Sequence, residues 1–225
     1  MKNLILIVIG FTLIITSVLI LIPEVNSVSE SSKSYDTIIE LKNNIVSNNT
    51  KTEEATEVVE LPPVIKAWIR IDGTNIDYPI VQGSDNAYYQ NHDYKGNANA
   101  YGALFIDYRN SVDFTDDYTL VYGHNSLYNL MFSDLKKLIK KPDSDVYMSF
   151  KYNNFEEYLY EICAISVVDE TCPIYDLCDL QTMQDIMKDN AVYYKSCDNN
   201  LILLTTCYGR RGTDKRLVVA IKSTN

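Results

Sequence analysis

The chain has 225 residues, enough for one domain with a sizeable core plus appendages. A hydrophobic content of 46% with mixed charges excludes a chain disordered throughout, and a net charge of −10 disfavours nucleic-acid binding because phosphates are repelled. There is no run of basic residues and no glycine-rich phosphate loop.

The run Leu4–Ile22 carries no charge and ends at Pro23-Glu24. As a helix rising about 1.5 Å per residue it covers roughly 28 Å, close to the hydrocarbon thickness of a bilayer. Lys2 and the amino terminus supply the positive charge before it, and Glu24 follows it. The positive-inside bias therefore predicts a cytoplasmic N-terminus and an exported remainder, a single-pass membrane protein. A cleaved secretory signal is the alternative, but its apolar core is usually shorter, about 7–15 residues. Both readings export the domain. The expected organisation is a membrane anchor over 1–26, a polar segment over 27–60 and a folded domain over 61–225. In the polar segment, Ile38, Leu41 and Ile45 within Tyr35–Val46 have helical spacing, and the acid-rich stretch Ser47–Glu60 reads as a linker.

From Leu61-Pro62-Pro63 onward the chain alternates short strand patterns with turn signals. Val64–Ile71 and Ile76–Val81 flank Asp72-Gly73-Thr74-Asn75, a hairpin connection. Ala103–Tyr108, Tyr118–Tyr122, Val146–Phe150, Glu156–Val168, Leu201–Cys207 and Leu217–Ile221 are the further strand candidates. That set is large enough to close a small barrel. Two helices are expected to interrupt it. One carries the stripe Leu127, Met131, Leu135 and Leu138, and the other covers Gln181–Asn190.

The five cysteines are Cys163, Cys172, Cys178, Cys197 and Cys207, and an odd number in an exported chain leaves at least one free thiol. Cys172 and Cys178 are near enough in sequence to bridge, but free thiols are the simpler expectation. With no Cys-x-x-Cys pair and only two histidines, neither a metal site nor a cofactor is expected.

The aliphatic run Leu201-Ile202-Leu203-Leu204 leads into Thr205-Thr206-Cys207 and is broken by Tyr208-Gly209. A buried strand of this kind delivers a thiol to a sheet rim, although a lone cysteine more often serves as a small hydrophobe. A thiol nucleophile needs a base or cation nearby. His124 follows the strand Tyr118–Tyr122 and a glycine, again a strand end, whereas His92 lies in the polar stretch Gln90-Asn91-His92-Asp93. Arg216 opens the strand after Cys207, where a guanidinium suits a peptide carbonyl or an oxyanion; Arg210 and Arg211 read as loop charges.

In this order the residues resemble the class B sortases of Gram-positive bacteria. The similarity runs from about Val64 to Ile221. It includes Trp68-Ile69-Arg70-Ile71, Gly73–Gln82, Asn91-His92-Asp93-Tyr94, Gly102–Arg109, Tyr122-Gly123-His124-Asn125 with Met131–Leu135, and Leu204-Thr205-Thr206-Cys207. Leu203 stands where the family usually has threonine, and the variable spacing from cysteine to arginine leaves Lys215 and Arg211 as alternatives to Arg216.

The resemblance implies a mainly β fold, a closed eight-stranded sortase-like barrel with a few peripheral helices behind a transmembrane helix. It also implies a cysteine transpeptidase in which Cys207 attacks a sorting signal after threonine to form a thioester. His124 would serve as acid and base, and Arg216 would bind substrate or oxyanion. The implied partners are surface proteins bearing a sorting signal and a peptidoglycan precursor or other amine acceptor. An exported cysteine peptidase and a non-catalytic surface-anchored binding domain are the alternatives.

Overall fold

The computed structural model describes residues 2–49, 61–198, 200–209 and 214–224. Most of the expected linker Ser47–Glu60, together with Arg210 and Arg211, lies outside the described residues. The chain separates into two compact units, Met1–Ile38 and Ile39–Asn225, with helix α1 (Lys2–Asn49) running through the boundary. Among the described residues, no helix is long and apolar enough to cross a membrane.

Among the described residues of the second unit, nine strands form one sheet. They are β1 (Ile65–Ile71), β2 (Asp77–Gln82), β3 (Leu104–Ile106), β4 (Tyr118–Tyr122), β5 (Val146–Phe150), β6 (Glu157–Asp169), β7 (Ala191–Tyr194), β8 (Leu201–Cys207) and β9 (Lys215–Ser223). Their order is β5-β1-β2-β3-β4-β8-β9-β6-β7, and a further β5–β6 pairing closes the first eight into a barrel. The long β6 makes this closure possible. Its first residues, Glu157–Tyr160, pair with β5, while Ala164–Ser166 on the same edge pair with β7, outside the closed ring. Closure removes exposed sheet edges, which otherwise template unwanted pairing.

The turn at Asp72–Asn75 follows from its residues. Gly73 takes φ +76°, Thr74 N–H donates to Ile71 O at 3.3 Å, and Ile71 N–H donates to Ile76 O at 3.0 Å. Helix α3 (Leu180–Asp189) is capped by Asp179, whose carboxylate accepts from Thr182 N–H at 3.0 Å.

β8 is buried along Leu201–Thr206, as a continuous apolar run requires when both sheet faces are covered. Alternate residues of three strands, Tyr118 and Leu120, Leu201 and Leu203, Val218 and Ala220, pack beneath Met183 and Met187 of α3. By strand alternation, Ile202, Leu204, Val219 and Ile221 turn to the opposite face, into the barrel. Cys163 on β6 and Cys197 form a disulfide within the α3 layer, with Cα atoms 5.4 Å apart, while Cys172, Cys178 and Cys207 are free.

Two expectations are corrected. No continuous helix carries Leu127, Met131, Leu135 and Leu138. The chain makes a 3₁₀ turn at Phe132–Asp134 and the short α2 (Leu135–Leu138), and Leu127 is 93% exposed. The cause is local. Ser126 Oγ accepts from the backbone N–H groups of Tyr128 (3.2 Å) and Leu130 (3.0 Å), and Asn129 and Met131 both take φ +55°, which curls the segment out of a helix. The second correction is β7, a strand absent from the expected set.

Candidate active site

β4 and β8 are parallel neighbours, with Tyr122 level with Thr205. Beyond that pair the two strand ends remain laced together. Gly123 N–H donates to Thr205 O at 3.1 Å, Thr206 Oγ1 to Gly123 O at 2.7 Å, and Asn125 Nδ2 to Cys207 O at 2.9 Å. Two residues past the last paired position, His124 and Cys207 therefore sit on one rim, on strands spaced about 4.8 Å apart.

Gly123 is required for this approach. A Cβ at that position would lie 2.4 Å from Leu104 Cδ2 and 2.6 Å from Phe132 Cδ2. His124 is fixed from two sides. Its carbonyl accepts from Phe132 N–H at 3.0 Å, and its Nε2 lies 2.7 Å from Gln90 O. A carbonyl oxygen only accepts, so Nε2 carries a proton and Nδ1 is left for exchange.

β9 runs antiparallel to β8, and Cys207 is directly opposite Arg216. Directly opposed residues share a face with Cβ atoms about 4.5–5.5 Å apart. The Arg216 guanidinium is held by Glu170 (Nη2 to Oε2, 2.7 Å). Lys215, next along the strand, points to the other face and pairs with Asp169 at 2.7 Å.

His124, Cys207 and Arg216 all line one cleft of about 530 Å³. His92 does not. Its ring stacks on Tyr88 with centroids 4.1 Å apart, and its Nδ1 lies 2.8 Å from Tyr88 O.

Residues not singled out from sequence form one wall of the cleft. Asp107 is fully buried and receives three hydrogen bonds from Arg109 (Nε 2.9 Å, Nη2 2.8 Å, backbone N–H 3.0 Å), one from Asn86 (2.7 Å) and one from the Tyr122 hydroxyl (2.9 Å). Burial pushes this carboxyl up, but the hydrogen bonds from Arg109, Asn86 and Tyr122 outweigh it and hold it below the usual range. Arg109 Nη2 also donates to Tyr175 O at 2.6 Å, and the Tyr175 hydroxyl lies 2.9 Å from Thr205 Oγ1. Burial raises the Tyr175 phenol to about 12, so it stays protonated. The wall is thus a fixed hydrogen-bond frame around a buried anion. The only sequence signal for it was Asp107-Tyr108-Arg109 following a strand, a spacing that lets one side chain fold back onto the other.

The sequence profile of the sortase domain matches residues 69–224. The chain belongs to the sortase family. Sortase B of Listeria monocytogenes is 31% identical over 184 residues, covering 76% of this chain and 74% of that protein. A Streptococcus pyogenes class B sortase involved in pilus biogenesis is 30% identical, with a TM-score of 0.60, over 72% of this chain and 94% of that one. The Staphylococcus aureus sortase B–substrate complex, at 22% identity, shares the fold with a TM-score of 0.67 over 88% of this chain and 98% of that one. This sortase is therefore of class B and a cysteine transpeptidase.

Proposed function

We propose that this sortase works through Cys207, His124 and Arg216 on a C-terminal sorting signal, cut after threonine. It joins the surface protein to an amine of the cell wall or of another subunit. The shared rim carries this proposal: β4, β8 and β9 bring an imidazole, an exposed thiol and a guanidinium to one cleft. Cys207 Sγ attacks the threonine carbonyl and forms a thioester as the amide bond breaks. His124 gives a proton to the leaving amine and takes one from the incoming amine. Arg216 holds the carbonyl oxygen as charge develops on it.

The reaction is tested with a sorting-signal peptide, with and without an amine, followed by mass spectrometry. Slow hydrolysis alone and a new amide-linked product with amine are expected. Hydrolysis only, across a panel of wall-derived amines, would favour a peptidase instead.

The role of Arg216 has its own test. Arg216→Lys keeps the charge but loses the planar fork that Glu170 now holds. Its kcat/KM is expected to fall at least about tenfold, the equivalent of one charge-assisted hydrogen bond. Near-normal turnover by Arg216→Lys would reduce this side chain to a general electrostatic role.

The uncharged Leu4–Ile22 segment anchors the protein, with the barrel on the outer face. Two observations support this. Apolar side chains such as Phe11, Leu13, Ile14, Ile15 and Leu19 are exposed around α1, so no single face is the apolar one. The Cys163–Cys197 disulfide suits an oxidising compartment. Removing residues 1–26 is expected to move the protein from the membrane to the soluble fraction while preserving hydrolysis of the peptide. An insoluble or unfolded product, from a protein that is sound at full length in detergent, would show that the domain begins earlier.

A further inference from the structure

Cys207 opens onto two clefts. The first, described above, holds His124, Arg216 and Arg109. The second, of about 500 Å³, shares only Thr206 and Cys207 with it. Its wall is built from α2 and the turn that follows it, Lys136, Ile139 and Lys140, facing Tyr208 and Leu217. Both lysines are exposed, and neither makes an ion pair among the described residues. Lys137 behaves differently. It is tied to the buried Asp134 at 2.7 Å and is not part of this wall. Among the described residues, no acidic side chain lines the second cleft. Two like charges one helical turn apart repel, and an anion between them relieves the repulsion.

We propose that the second cleft is the acceptor subsite of this sortase, and that Lys136 and Lys140 select an amine whose own molecule carries a carboxylate. The inference rests on the transpeptidase reading above. An acyl-enzyme on Cys207 needs its nucleophile to approach from a side not filled by the acyl chain, and Cys207 lines the second cleft as well as the first. Asn125, whose Nδ2 donates to Cys207 O at 2.9 Å, forms part of its wall, while the His124 imidazole lines the first cleft, so amine and imidazole meet where the two clefts join at Cys207. The lysines act in two ways. They hold the carboxylate, and their positive field disfavours a further ammonium, which keeps the incoming amine as the free base. The neutral nitrogen attacks the thioester carbonyl and the C–N bond forms. The C–S bond breaks with its electron pair leaving on Cys207 Sγ, and the proton of the amine passes to His124.

The test compares two probe acceptors of equal size, glycyl-glutamate and glycyl-glutamine amide, on the full chain in detergent with one sorting-signal peptide. Thioester formation and its slow resolution by water use the first cleft and serve as internal reference. The wild type is expected to show a KM for glycyl-glutamate about two- to fivefold below that for the neutral amide, the range for exposed charge pairs. Lys136→Glu combined with Lys140→Glu should erase or invert that preference while the reference rates hold. Lys136→Arg with Lys140→Arg should retain it, since charge and not geometry is the requirement. An equal KM for both probes in the wild type, or a preference that survives charge reversal, overturns the inference alone. Hydrolysis without any amide product from either probe overturns the transfer reading itself.

Discussion

Cys207→Ala is expected to abolish both hydrolysis of a sorting-signal peptide and its transfer to an amine, by a factor on the order of 10⁴ or more. The loss is large because the thiol is the covalent acceptor of the acyl group, and no neighbouring group can replace it. Cys207 is the one exposed cysteine among the three free ones, and it ends a strand whose other residues are buried. The substitution removes no core contact of that strand, so the variant should fold and melt like the wild type. Alkylation offers an independent check. One thiol in the folded protein should react quickly, with loss of activity in step. Cleavage that survives in Cys207→Ala would sink the whole assignment.

The second large effect belongs to the imidazole. His124→Ala should lower turnover by a factor of about 10² or more, the range for loss of general acid–base help. His92→Ala should stay within about threefold of wild type, because its ring stacks on Tyr88 outside the cleft. The comparison is informative because these are the only two histidines in the chain. Equal losses in the two variants, both shown to be folded, would count against His124. A companion measurement uses Gly123→Ala. It removes neither reactive side chain, but the new methyl drives into Leu104 and Phe132, so activity should fall through displacement of His124.

The three candidate residues were legible in the sequence because each stands at one end of an apolar pattern, Cys207 and His124 after it and Arg216 before it. Leu201–Leu204 is so strongly aliphatic that only a buried strand fits, and the change to Thr-Thr-Cys then marks a rim. Tyr118–Tyr122 followed by Gly123 gave the same signal for His124. The barrel itself was readable as a set of short strands, although its closure through the two-part edge of β6 was not. β7 escaped because Ala191–Tyr194 is four residues long, alternates half-buried with exposed positions and pairs with one neighbour only. The stripe Leu127, Met131, Leu135 and Leu138 misled because helical spacing does not reveal a serine hydroxyl competing for the backbone. The frame around Asp107 gathers Asn86, Arg109 and Tyr122 from three separate segments, and no local pattern announces such a meeting. The Cys163–Cys197 pairing was hidden for a similar reason, since connectivity is a property of the folded chain.

The hydrogen bond from Asn125 to the Cys207 carbonyl joins residues 82 positions apart. Everything between them, from α2 through β5, β6, α3 and β7, must be threaded before β8 can lie beside β4. Pairing of that separation comes late, because the loss of chain freedom on closing so long a loop precedes any return from the contacts. A molecule in which β4 and β8 are not yet paired therefore carries its thiol without the imidazole alongside. Such a chain is chemically quiet and does not form thioesters with whatever carbonyl it meets. Enzymatic competence therefore depends on a long-range strand pairing of the barrel itself, and not on the local β8–β9 hairpin alone.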